Sequence, residues 1–161
     1  NVKKIKIMAV KTLANLKTGR NFTDVLDSVS TKIGPAVVAL TTGVTLFPTD
    51  SGKIFTLDST GGAYDINLPA AADSAGCRFT FVVLENTPTA DITIKSDGAN
   101  IFGNLLIQSD SNEDNRVAAA GVTNVLVDTT ALKGDMVELI GTGANYIVSG
   151  FGQVQGSFTC S

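Results

Sequence analysis

Arg78-Phe79-Thr80-Phe81-Val82-Val83 and, a little further on, Asp91-Ile92-Thr93-Ile94-Lys95 decide how this chain folds. In both, apolar residues recur at every second position, the period of a strand with one buried face. The first run starts by alternating and ends continuously apolar, as a buried central strand does. The second alternates cleanly and points Ile92 and Ile94 at a core. Working outward, the same texture covers Val37–Leu40, Val44–Phe47, Lys53–Leu57, Ala63–Leu68, Ile101–Ile107, Val122–Val127, Met136–Ile140 and Tyr146–Phe151. Turn clusters such as Thr41-Thr42-Gly43 and Asp50-Ser51-Gly52 punctuate the runs. About eight to ten strands at roughly ten-residue spacing predict a mainly β fold, an antiparallel sandwich or jelly-roll-like barrel.

Upstream of Pro35 the period changes. Phe22, Val25, Leu26, Val29 and Ile33 fall at helical spacing and predict a helix of roughly three turns over 22–33. Asn21 or Thr23 suits its N-cap, Asp24 and Asp27 suit its positive end, and Gly34-Pro35 stops it. Charge divides at the same place. Residues 1–35 carry seven Lys/Arg against two acids, a net +5, while residues 36–161 carry five against thirteen, a net −8. The overall −3 hides a basic, partly helical N-terminal arm (1–35) joined to a single acidic β-domain (36–161). Only Phe22 offers an aromatic ring in the arm, and the helical period assigns it to packing. A protein surface therefore fits the arm better than nucleic acid, which calls for stacking aromatics or a broader basic patch. On this reading Lys11, Lys17 and Arg20 make the charged contacts of docking, with Phe22, Val25 and Val29 as apolar anchors; an ordinary amphipathic helix with a solvated Lys face is the alternative.

The 161 residues are enough for one domain with a real core. Charged residues make up 17%, against roughly 25% in an ordinary globular protein, which excludes a highly charged disordered chain. No apolar run approaches the ~18–20 residues of a membrane span. The basic start Asn1–Ile7 has no apolar stretch behind it, which argues against a secretory signal. Met8-Ala9-Val10 has the form of a translation start, which would make residues 1–7 an upstream extension.

The chain has no histidine. Triads and zinc sites that use histidine are thereby excluded, and a carboxylate pair or a Lys-based mechanism is the chemistry left open. The acids are scattered, mostly at turns. Asp65, Asp135 and Glu138 lie on or beside strands, where alternation directs them to solvent. Asp110-Ser111-Asn112-Glu113-Asp114-Asn115 begins like a calcium loop, but Asn115 and Gly121 stand where such a loop needs Gly and Glu. No catalytic residue, metal site or cofactor is expected. Cys77 and Cys160 are read as two separate thiols, one bridge between them being the alternative. Gly98-Ala99-Asn100-Ile101 and Gly143-Ala144-Asn145-Tyr146 share a pattern 45 positions apart. Gly and Asn both tolerate positive φ, so recurrence at hairpin tips accounts for it.

One ordered set of pieces carries a resemblance. Gly61–Leu68 ends in Leu-Pro, a small-residue turn (Pro69-Ala70-Ala71-Ala72-Asp73-Ser74-Ala75-Gly76) follows, and Cys77–Val83 alternates with aromatics. Asp91–Lys95 and Asp97-Gly98-Ala99-Asn100-Ile101 come next, then Gly134–Ile140 and Gly143–Gly150. In this order they resemble the β-domains of tailed-phage virion structural proteins, both capsid decoration or cement proteins and fibre proteins. The likeness spans about residues 53–152, and Tyr146 stands where such domains often carry Trp. It implies a non-enzymatic virion protein on the capsid surface, assembled in the host cytoplasm, that stabilises contacts between shell subunits. The implied partners are the major capsid protein and copies of the chain itself, as a trimer. The alternative is a tail or head fibre module that binds a host-surface glycan.

Overall fold

The computed structural model describes residues 35–84, 88–108 and 115–161. The expected helix over 22–33 and the acidic run 110–114 lie outside them. Ala36–Ser161 forms one compact unit. Its strands are β1 (Val37–Leu40), β2 (Val44–Thr45), β3 (Ile54–Leu57), β4 (Tyr64–Asn67), β5 (Arg78–Val83) and β6 (Ile92–Lys95). They continue as β7 (Ile101–Ile107), β8 (Asn115–Val122), β9 (Asn124–Val127), β10 (Met136–Gly141), β11 (Tyr146–Gly152) and β12 (Phe158–Cys160).

These strands make two sheets. The seven-stranded sheet runs β1-β3-β5-β10-β11-β7-β8 and the five-stranded sheet β12-β9-β6-β4-β2. The mainly β, sandwich-like architecture is as expected, but the antiparallel pairing is not. Both sheets are mixed. β1, β3 and β5 are parallel neighbours in one sheet, β2, β4 and β6 in the other. The cause is the route of the chain: from β1 to β7 each strand lies in the sheet opposite its predecessor. A strand that visits the second sheet returns to the first pointing the same way, so the crossover that parallel strands require is itself a strand.

The sheets then close with antiparallel pieces. The β10–β11 hairpin sits between β5 and β7, antiparallel to β5 and parallel to β7. β9 runs antiparallel to β6, and β12 to β9. β5 is a central strand, as its apolar ending predicts. Two strands are not evident from the sequence. β8 is rich in Ala, a residue depleted in strands, and holds the sheet edge by pairing with β7. β12 is a three-residue strand near the C-terminus. Conversely, the expected strand Val44–Phe47 ends at Thr45. Pro48 opens a 3-10 turn (Pro48–Asp50), and the Phe47 N–H donates to the Asp50 carboxylate at 2.9 Å. Lys53, followed by the Phe47 N–H, holds the Asp50 carboxyl below its ordinary range.

Inward residues of both sheets fill one core. Phe55, Phe79, Phe81, Leu139 and Tyr146 come from the larger sheet; Ile66, Ile92, Ile94, Val125 and Phe158 come from the smaller. Phe55 and Phe81 are neighbours in register and stack with ring centres 5.4 Å apart. Each such side chain stabilises the fold by about 1.5–3 kcal/mol relative to an exposed position.

The repeated Gly-Ala-Asn motif has a structural counterpart. Gly143–Asn145 is the β10–β11 hairpin tip, whereas Gly98–Asn100 is the turn that carries the chain from β6 to the other sheet. The strands that follow lie side by side, with Ile101 opposite Tyr146. The Tyr146 N–H donates to the Asn100 carbonyl at 2.9 Å. Further along this pair, Gly103 faces Val148 with φ +138°, and a Cβ there would lie 2.1 Å from the Val148 carbonyl oxygen. Gly103→Ala is therefore expected to destabilise the protein by about 2–4 kcal/mol. Gly98→Ala, with negative φ and its nearest atom at 4.0 Å, serves as the mild comparison. Chemical denaturation of the two variants checks this, and equal midpoints would count against the β7–β11 pairing.

Candidate docking surface

The outer face of the seven-stranded sheet follows from strand register. Across β5, β10, β11, β7 and β8, one row reads Arg78, Ile140, Ile147, Phe102, Ala120. The next outward row reads Thr80, Glu138, Ser149, Asn104, Ala118. The third reads Val82, Met136, Phe151, Leu106, Arg116. Two apolar rows thus flank a polar one. Phe102, Leu106, Met136, Ile147 and Phe151 are 40–54% exposed. They account for five of the eight large apolar side chains exposed among the described residues, and Val37 on β1 lies in register with Ile54 and Thr80 on the same face. Charge on these rows is limited to Arg78, Glu138 and Arg116, and Arg78 Nε lies 3.3 Å from Glu138 Oε1.

The opposite face differs. Thr45, Asp65, Asn67, Thr93, Lys95 and Thr159 project from the smaller sheet, and Lys95 pairs with Asp65 at 2.5 Å. An open polar groove of about 480 Å³ runs along β2 and β4, past Thr42, Thr45, Asp65 and Asn67. Tyr64 also lines it, but that ring is buried and its hydroxyl donates to the Leu40 carbonyl at 2.8 Å.

Polar groups in the interior hold the fold together. Asp135 is fully buried, contrary to the expectation that it faces solvent. Its carboxylate accepts from the Leu132 N–H at 2.9 Å, the Gln153 N–H at 3.0 Å and the Gln153 side-chain amide at 2.9 Å. It thereby joins the approach to β10 with the exit of β11. Tyr146, at the start of β11, donates to the Pro69 carbonyl at 2.7 Å and shares a 2.6 Å hydrogen bond with Ser74 Oγ. Burial pushes its phenol above the ordinary range, and the Ser74 bond partly offsets this. Ser59 Oγ accepts from the Thr89 and Ala90 N–H groups. These contacts give Asp135, Tyr146, Ser74 and Ser59 architectural work.

Asp65 and Glu138 do face outward, as alternation predicts. Among the described residues, His, Cys, Asp and Glu nowhere form a group of three that could hold a metal. Cys77 and Cys160 are both free, and burial raises the Cys160 thiol. The six residues expected to dock, Lys11, Lys17, Arg20, Phe22, Val25 and Val29, lie outside the described residues. The outer-face rows are what sequence reading misses. Their signal is present in β7, β10 and β11, where apolar residues occupy both parities and so line both faces. No protein-family profile matches the chain, and no curated protein matches its sequence.

Removing the Asp135 carboxylate leaves three donors without their acceptor. Asp135→Ala is expected to cost about 2–4 kcal/mol of stability, measured by urea unfolding. A loss under about 0.5 kcal/mol, the range of an ordinary surface substitution, would contradict the anchoring role.

Proposed function

We propose that this chain is a non-enzymatic structural protein of a tailed-phage virion, one that decorates the capsid and stabilises contacts between shell subunits. One observation carries the proposal: most of the exposed large apolar residues gather on the outer face of one sheet, while the buried Asp135, Tyr146, Ser74 and Ser59 are engaged in holding the fold. Such a body works by contact rather than by chemistry. The ordered likeness to virion β-domains over residues 53–152 supplies the setting.

In this reading the arm engages the shell. Lys11, Lys17 and Arg20 meet acidic groups on the major capsid protein, and Phe22, Val25 and Val29 anchor against apolar ones. Each contact is weak, and many copies repeated by the symmetry of the shell resist its expansion together. Glycan binding in the polar groove has less support, because carbohydrate sites present aromatic faces and the Tyr64 ring there is buried.

Capsids that lack the protein are expected to lose heat tolerance, and adding the purified chain back should restore it. Attachment carried by the arm's charges weakens as salt rises from 0.05 to 0.5 M, since screening shortens from about 14 Å to about 4 Å. Capsid melting with and without the protein, over a salt series, reads both effects. Unchanged melting, with the protein found only on tails, would refute capsid decoration.

A further inference from the structure

We propose that the outer face of the seven-stranded sheet is a two-fold interface between two copies of this chain. The inference rests on reading that face as a contact surface and names its occupant.

The arrangement of the face is self-matching about β11. A two-fold axis lying along β11, in the plane between two stacked sheets, brings each β10 over its partner's β7 and each β5 over its partner's β8. Rows then meet themselves in reversed order. Ile147 meets Ile147 and Phe151 meets Phe151. Ile140 meets Phe102, and Met136 meets Leu106. Apolar rows cover apolar rows along their central part.

The polar row matches as well. Ser149 lies on the axis opposite its own copy, and Glu138 faces Asn104, whose amide can donate to it. No charge meets a like charge: Arg78 faces Ala120, and Arg116 faces Val82. Glu138 keeps Arg78 as its own ion-pair partner. Stacked twisted sheets cross at about 30°, which separates the corners and leaves the pairs nearest the axis in contact.

Size sets the strength. About this axis the five strands β5, β10, β11, β7 and β8 overlap, and at about 4.8 Å spacing and six residues at about 3.3 Å they cover roughly 24 by 20 Å. That is below the ~800 Å² per partner of a standard interface and suits a weak, reversible pair. Its composition also suits, with Phe, Met, Ile and Leu central and Arg at the ends of the rows. One patch that matches itself closes as a pair. A three-fold ring needs two different patches that fit each other, so the geometry points to a dimer where the virion resemblance implies a trimer.

The test uses the full chain. Sedimentation velocity from 1 to 200 µM is expected to show a monomer–dimer equilibrium. Phe151→Asp should weaken it about thirtyfold or more, while Thr93→Asp on the opposite face leaves it unchanged. Thermal unfolding of each variant verifies that it is folded. Ser149→Cys, combined with Cys160→Ser, should be joined between copies by a short bifunctional thiol reagent, because stacked sheets hold facing Cα atoms about 10 Å apart, too far for a direct disulfide. A monomer at every concentration overturns the proposal, and alkylation of the Ser149→Cys thiol then tells why. A shielded thiol assigns the face to another part of the same chain, and an open one leaves it to a different partner. A trimer without the Ser149→Cys crosslink also overturns it. A monomeric chain that still protects capsids would leave the proposed function standing, whereas a dimer that never binds capsids would sink the function and leave the interface.

Discussion

The insertion of the β10–β11 hairpin between β5 and β7 is the constraint on which the rest of the structure depends. Strands β1 to β7 alternate between two sheets, so β7 would otherwise follow β5 in the larger sheet. The hairpin fills that place, and close backbone approach lets it in. A Cβ on Gly150 would lie 2.4 Å from the Met136 carbonyl oxygen and 2.7 Å from Leu105 Cδ2. Two polar anchors fix its ends. Asp135 ties the approach to β10 to Gln153 beyond β11, and Tyr146 ties the start of β11 to Pro69 and Ser74. Pro69 and Ser74 belong to the small-residue turn between β4 and β5. The hairpin therefore also joins the pieces of sequence on which the virion resemblance rests.

The same hairpin shapes the surface. Met136, Ile140, Ile147 and Phe151 belong to it, and their inward neighbours Val137, Leu139, Tyr146 and Val148 are core residues. Apolar residues line both faces of these two strands, with Glu138 and Ser149 between them on the outer one, and only the inner face is covered within the described residues. An uncovered apolar sheet face is unusual on a monomer and is the mark of a contact surface. Buried hydroxyls and the buried carboxylate are matched to donors and acceptors that secure the scaffold. The physical division is between an interior that fixes one geometry and a single outward face that presents it.

Much of this fold is legible in the sequence, and the illegible parts share a cause. Alternation reports which face of a strand is wet. It locates Ile92 and Ile94 in the core and β5 at the centre of its sheet. It is silent on the direction of the neighbouring strand, so it gives no sign of mixed sheets. β8 escapes it because Ala118, Ala119 and Ala120 carry no strand preference, and tertiary pairing with β7 decides their conformation. Asp135 breaks the rule that acids beside strands face water because three donors converge on it. The outer-face rows needed the register between strands, which only the fold supplies. The basic arm and its docking residues rest on helical period and charge alone.

The most direct measurement follows Met136, which lies in the outer apolar row beside Phe151 and is 40% exposed in the single chain. Its oxidation by hydrogen peroxide, read by peptide mass spectrometry, reports whether that row is open to solvent. If the face pairs with a second copy, the rate falls several-fold as protein concentration rises through the association range, and Phe151→Asp abolishes the protection. A rate that stays that of a free methionine at every concentration would contradict the account.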